Sequence, residues 1–120
     1  MPVLGLHHAQ VFYPADGQAA ARRFYVDLLG LRELSRPATL PPDGLWFDVP
    51  GGGQIHLSVE PDLHIHPRRH FALRVDDLAR TRSKLASAGV RFEEAVEIPG
   101  WKRCYVFDPF DNKIELDQTQ

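Results

Sequence analysis

Four side chains spread through this 120-residue chain have the types and placement to do chemistry together: His8, His56, His70 and Glu115. His56 is flanked by Ile55 and Leu57, and Glu115 by Ile114 and Leu116. In a strand, successive side chains face opposite sides of the sheet. Each isolated polar residue therefore faces away from its apolar flanks. His8 and His70 each stand in the first strand of one half of the chain. Three imidazoles and one carboxylate suit a borderline divalent ion such as Zn, Ni, Co, Mn or Fe(II), whereas Mg or Ca prefers an all-oxygen shell. An ion held this way keeps positions open for water or substrate. It can stabilise negative charge on a carbonyl, enediolate, phosphonate or catecholate oxygen. The alternative is a polar-lined ligand pocket that holds no ion.

The elements that must position these residues can be read from periodicity and breakers. Residues 4–12 read as a strand, followed by the turn Pro14-Ala15-Asp16-Gly17. Residues 18–29 read as a helix whose apolar face carries Ala20, Ala21, Phe24, Tyr25 and Leu28, closed by Gly30. Strands are expected at 31–34, 45–49 and 54–59, with proline-broken and glycine-rich connections. Residues 60–69 form a polar connector. The same order then restarts: a strand at 69–75, a helix at 78–88 with Asp76 or Asp77 as N-cap and Gly89 as its stop, then strands at 90–96, 103–107 and 113–117.

Landmarks repeat at a fixed interval. Gly30 and Gly89 lie 59 positions apart, as do Pro50 and Pro109, and Ile55-His56-Leu57 and Ile114-Glu115-Leu116. His8 precedes His70 by 62, and the three extra residues fall in the connection between first strand and helix. The chain reads as an α+β protein, a single domain over 1–120 made of two βαβββ modules at 4–60 and 68–118. One such module alone would bury too little surface to be stable. The expected architecture is a curved, incompletely closed, barrel-like sheet of eight strands.

Composition narrows the rest. Fourteen Lys and Arg against 16 Asp and Glu give a net charge of −2, with no footprint for nucleic acid. No apolar run approaches the roughly 20 residues a membrane-spanning helix needs. The first 15 residues do not read as a signal peptide, so a cytoplasmic location is expected. Cys104 is the only cysteine, which excludes an internal disulfide and a thiolate-rich metal cluster.

Several segments carry a family resemblance: His8 with Phe24-Tyr25 and Leu28-Leu29-Gly30-Leu31; Gly44-Leu45-Trp46-Phe47; His70-Phe71-Ala72-Leu73-Arg74-Val75-Asp76-Asp77-Leu78; and Asp108-Pro109-Phe110-Asp111-Asn112-Lys113-Ile114-Glu115-Leu116. Over nearly its whole length the chain resembles the vicinal oxygen chelate superfamily, the group of glyoxalases, bleomycin-resistance proteins and extradiol dioxygenases. The resemblance implies paired βαβββ modules, frequent homodimers, and one divalent metal ion (Zn, Ni, Mn or Fe(II)) at His8, His56, His70 and Glu115. It implies a lyase or isomerase acting on a small oxygen-rich substrate through a metal-stabilised enediolate or oxyanion, with Glu115 as the base. A fosfomycin-resistance-like thiol transferase, an extradiol-type dioxygenase and a non-catalytic drug-binding protein of bleomycin-resistance type are the alternatives within the group. Glyoxalase I enzymes carry glutamate where this chain has His56. Many members carry glycine at the position of Asp111, where aspartate can follow a turn backbone nearly as well.

Around the four residues, Arg103 is the preferred substrate anchor because it begins the strand beside that of Glu115, and arginine binds a carboxylate or phosphonate in bidentate fashion. Lys102, Arg36 and Arg69 are further basic candidates. Tyr105 offers a pocket hydroxyl and Trp46 an aromatic wall. Strand alternation turns His7 away from His8 and Cys104 away from the pocket. His64 and His66 lie in the connector.

Overall fold

A computed structural model describes residues 2–119, with the side chain of Thr119 left aside. The chain divides into two compact units, residues 1–63 and 64–120. The first contains β1 (His8–Tyr13), α1 (Gln18–Arg22) continuing as a π-helical turn (Arg23–Leu28), β2 (Arg32–Leu34), β3 (Leu45–Val49) and β4 (Gly53–Val59). The second contains β5 (His70–Arg74), α2 (Leu78–Ser87), β6 (Phe92–Glu94), β7 (Trp101–Phe107) and β8 (Lys113–Thr119). Each unit is βαβββ, and the ladder order is the same in both: β1-β4-β3-β2 and β5-β8-β7-β6. The first and last strands of each unit pair in parallel, and the other neighbours pair antiparallel. The eight strands thus form two open four-stranded sheets, neither closed into a barrel, as in an incompletely closed α+β fold.

Period two divides each sheet into two faces. In the first unit Tyr13, Leu45, Phe47, Ile55 and Leu57 are buried on one face together with Ala21, Phe24 and Tyr25 of the helical segment. Tyr25 stacks on Phe47 at 5.2 Å. In the second unit the buried set is Cys104, Val106, Ile114 and Leu116 with Leu78 and Leu85 of α2. The opposite faces carry the polar candidates.

Several element bounds differ from the sequence reading, the strand expected at 90–96 shrinking to Phe92–Glu94 among them, and three of the differences have a local reason. β1 begins at His8, not Leu4, because its partner β4 begins at Gly53 and offers no backbone to pair with beyond that turn. The first helix widens into a π turn that lets the adjacent Phe24 and Tyr25 both reach the core. β7 extends back to Trp101 because β8 runs on to Thr119 and supplies the matching ladder.

A helix cap after β5 and a turn before β8 bound the strands that carry the polar residues of the second unit. Asp77 caps α2 by accepting a hydrogen bond from the Arg80 amide at 3.0 Å. Asp108 organises the turn before β8. Its Oδ1 accepts from the amides of Phe110 and Asn112, both at 2.9 Å, and its Oδ2 accepts from Asn112 Nδ2 at 2.8 Å. Asp111 then adopts φ 72, in the left-handed region that aspartate tolerates better than most residues. Among the described residues no helix is long and apolar enough to cross a membrane.

Candidate functional site

In the first unit, register places His8 and Gln10 of β1, Gln54 and His56 of β4, and Trp46 of β3 on one face. Their rings stack as a column. Trp46 and His56 are 4.3 Å apart and nearly parallel, at 7°, and His56 and His8 are 3.9 Å apart at 17°. His7 joins this column. Its ring meets that of His8 edge-on, and the two Nδ1 atoms are 2.9 Å apart. The expectation that His7 turns away is therefore overturned. Alternation applies only within a strand, and His7 precedes the first residue of β1.

His56 is buried, and its Nε2–H donates to Gln54 Oε1 at 2.8 Å. That bond leaves the ring lone pair on Nδ1. Burial, then the neighbouring His8 and His7, then Arg36 push its pKa down to about 4, so the ring is neutral at physiological pH. This face lines a cavity of about 680 Å³, with His7, His8, Gln10, Arg36, Trp46 and His56 among its walls.

In the second unit the matching face carries His70 of β5, Glu115 and Asp117 of β8, and Arg103 and Tyr105 of β7. Here charge replaces aromatic stacking. His70 Nε2 lies 3.1 Å from Glu115 Oε1, and Arg103 Nη1 lies 3.4 Å from the same oxygen. Arg103 also donates to Tyr105 Oη at 3.3 Å and to the Val96 carbonyl at 2.7 and 3.2 Å. Burial alone would raise the pKa of Glu115, but its hydrogen bond with Asp117 and the charges of Arg103 and His70 outweigh it and hold the carboxyl below its ordinary range. Asp117 moves the other way. Burial, the hydrogen bond with Glu115 and the charge of Glu115 push it up to about 6. The two carboxyls thus share a proton in mildly acidic solution.

The sequence-derived donors fall as two pairs, His8 with His56 in one unit and His70 with Glu115 in the other. Among the described residues, no three His, Cys, Asp or Glu side chains stand together closely enough to hold a metal ion. The chemistry of the pairs nonetheless fits one. His70 Nδ1–H donates to the Arg68 carbonyl at 3.2 Å, which leaves Nε2 as the nitrogen that faces Glu115. Metal-ligating histidines are commonly oriented by such a bond from their other nitrogen. Two lone-pair atoms 3.1 Å apart favour a cation, either a proton or a metal. His56, fixed through Nε2 with Nδ1 unprotonated, has the same form.

Trp46 shares a face with His56, and Arg103 and Tyr105 share one with Glu115, whereas Cys104 is buried on the opposite face. Sequence reasoning passed over Asp117, although it lies two residues beyond Glu115 in the same strand. It also passed over Gln54, two residues before His56.

A family model described as Glyoxalase/Bleomycin resistance protein/Dioxygenase superfamily matches residues 5–116. A Bacillus anthracis protein assigned to the glyoxalase family is 30% identical, with a TM-score of 0.92, covering 100% of this chain and 98% of that one. A glyoxalase/dioxygenase from Nostoc punctiforme is 25% identical, with a TM-score of 0.79 over 98% and 92% of the two chains. TnmS3, an antibiotic binding protein from Streptomyces sp. CB03234, shares the fold at 22% identity and a TM-score of 0.78, over 100% and 99%. No curated protein matches the chain.

Proposed function

The chain belongs to the Glyoxalase/Bleomycin resistance protein/Dioxygenase superfamily, and from that premise we propose that it is a metal-dependent lyase or isomerase acting on a small oxygen-rich substrate. Its divalent ion, Zn, Ni, Mn or Fe(II), would draw its donors from His8, His56, His70 and Glu115. The observation that carries this reading is the contact between His70 Nε2 and Glu115 Oε1 at 3.1 Å, with the other His70 nitrogen committed to a carbonyl. The neutral, buried His56 supports it, because an imidazole must be unprotonated to ligate.

When bound, the ion would supply electrostatic stabilisation of negative charge developing on a substrate oxygen. The protein's own groups do the rest. Glu115 is ionised at neutral pH and accepts a proton from a carbon beside a carbonyl. Asp117, its proton-sharing neighbour, holds a proton more tightly and is placed to exchange it with Glu115. Arg103 restrains the Glu115 carboxylate and the Tyr105 hydroxyl together, so both present fixed oxygens to substrate. Trp46 supplies an apolar wall. Homodimer formation follows as an expectation from the family.

Metal uptake tests the reading. Untagged protein offered Zn, Ni, Mn and Fe(II) should retain about one ion per chain. His70→Ala should retain none. Loaded wild type should then exchange carbon-bound hydrogen of small α-hydroxycarbonyl compounds with D2O, followed by proton NMR, and Glu115→Gln should not. Failure to retain any of the four ions would overturn the proposal.

A further inference from the structure

The structure assigns to Arg36 the role of anchoring a substrate carboxylate, which we propose makes the substrate class small organic carboxylates with an apolar body. This deepens the preceding reading and rests on it, since Arg36 lines the cavity that His8, His56 and Trp46 share.

The guanidinium is placed but not saturated. Its Nη1 donates to the Pro41 carbonyl. Its Nε is buried with no hydrogen-bond partner. Among the described residues no carboxylate pairs with it, although Asp43 lines the same cavity. The buried Nε–H is closed to a ligand, but among the described residues no carboxylate neutralises the guanidinium, so its charge is left for an anion in the cavity to meet. Nη2, to which no hydrogen-bond partner falls among the described residues, is the donor left for a carboxylate oxygen.

Two neighbours hold the group in place. The Trp46 ring centroid lies 5.8 Å from Cζ. Gly44 lies against the other atoms so closely that a Cβ there would come within 2.6 Å of Cζ and Nη2. Only glycine at 44 lets the guanidinium occupy this position. Leu40, Pro41, Val59 and Pro61 add apolar wall to the same cavity. Arg103 differs, because its donors are taken by Val96, Tyr105 and Glu115.

The test uses benzoylformate and its uncharged amide as probes, with calorimetry on metal-free and metal-loaded full-length protein. Metal-free wild type should bind the carboxylate at least about tenfold more tightly than the amide, as expected for a hydrogen bond to a charged group. Arg36→Gln should erase that preference, and Arg36→Lys should keep part of it. Gly44→Ala should weaken it by displacing the guanidinium. Arg91→Gln, a change in the second unit, should leave it intact. Near-UV circular dichroism checks that each variant is folded. Equal binding of both probes by wild type, no binding of benzoylformate, or a preference that survives in folded Arg36→Gln would overturn the assignment. A preference that persists in protein unable to retain metal would sink the metal reading alone. Normal metal uptake without the preference would sink this one alone.

Discussion

His56 and Glu115 occupy the same place in the two units. Each sits in the middle of the unit's last strand, between an isoleucine and a leucine, opposite an aromatic residue of the preceding strand: Trp46 for His56 and Tyr105 for Glu115. Both are buried. Burial disfavours a charged group, and the two units meet that cost in opposite ways. His56 gives up its charge and stacks among rings. Glu115 keeps its charge and recruits Arg103, His70 and a proton shared with Asp117. One backbone position can therefore serve as a neutral donor or as an anion, depending on two or three surrounding side chains.

The largest expected effect follows from the charged unit. Glu115→Ala removes the buried carboxylate that Arg103 and His70 share and should destabilise metal-free protein by about 3 kcal/mol, measured by urea unfolding. His56→Gln removes no charge at neutral pH and should cost about 1 kcal/mol. Equal losses would erase the contrast between the units.

The pH dependence of metal-free protein sharpens it. His56 falls from 6.5 to about 4 on folding, so the folded state disfavours its protonation. Its contribution is present above pH 6.5 and is lost as pH falls toward 4. Asp117 rises from 3.8 to about 6, so its contribution is present below 3.8 and is lost as pH rises through 6. The two slopes oppose each other in one window. His56→Gln should therefore make stability fall more steeply from pH 4 to 6 than in wild type. Asp117→Asn should make it rise over that range. Each change relative to wild type should be about 2 kcal/mol, read from urea midpoints at several pH values.

A smaller effect concerns His7. Removing it with His7→Ala takes away one of the positive neighbours that depress His56. The His56 ring protons should then titrate at slightly higher pH by NMR. The smallest effect belongs to the exposed pair Arg32–Asp48, 3.1 Å apart. Arg32→Ala should change stability by no more than about 0.5 kcal/mol.

Much of this arrangement was legible in the sequence. Glycines at 30 and 89, the alternation around residues 56 and 115, and the Asp-capped second helix fix the elements and the faces they present. Asp117 is equally legible, since period two puts it beside Glu115, but as the last residue of the expected strand it has no apolar flank beyond it to mark its face. His7 and Arg36 were less accessible. The position of His7 depends on where β1 stops finding a partner, and that is set by a turn 46 residues away, at Gly53. Arg36 belongs to an irregular segment with no periodicity to orient it. Its placement depends on the absence of a side chain at Gly44, and sequence alone does not show which neighbour needs that space.

The single sulfhydryl has a use of its own. Cys104 is fully buried in the second unit, and burial pushes its ionisation up. The thiolate is the reactive form, so an added disulfide reagent reaches it efficiently only when the surrounding sheet opens. The first unit contains no cysteine. Labelling kinetics therefore time the opening of one half of a duplicated chain while remaining silent on the other. Compared with amide exchange across both halves, that rate would reveal whether the duplicated halves unfold in concert or on separate clocks.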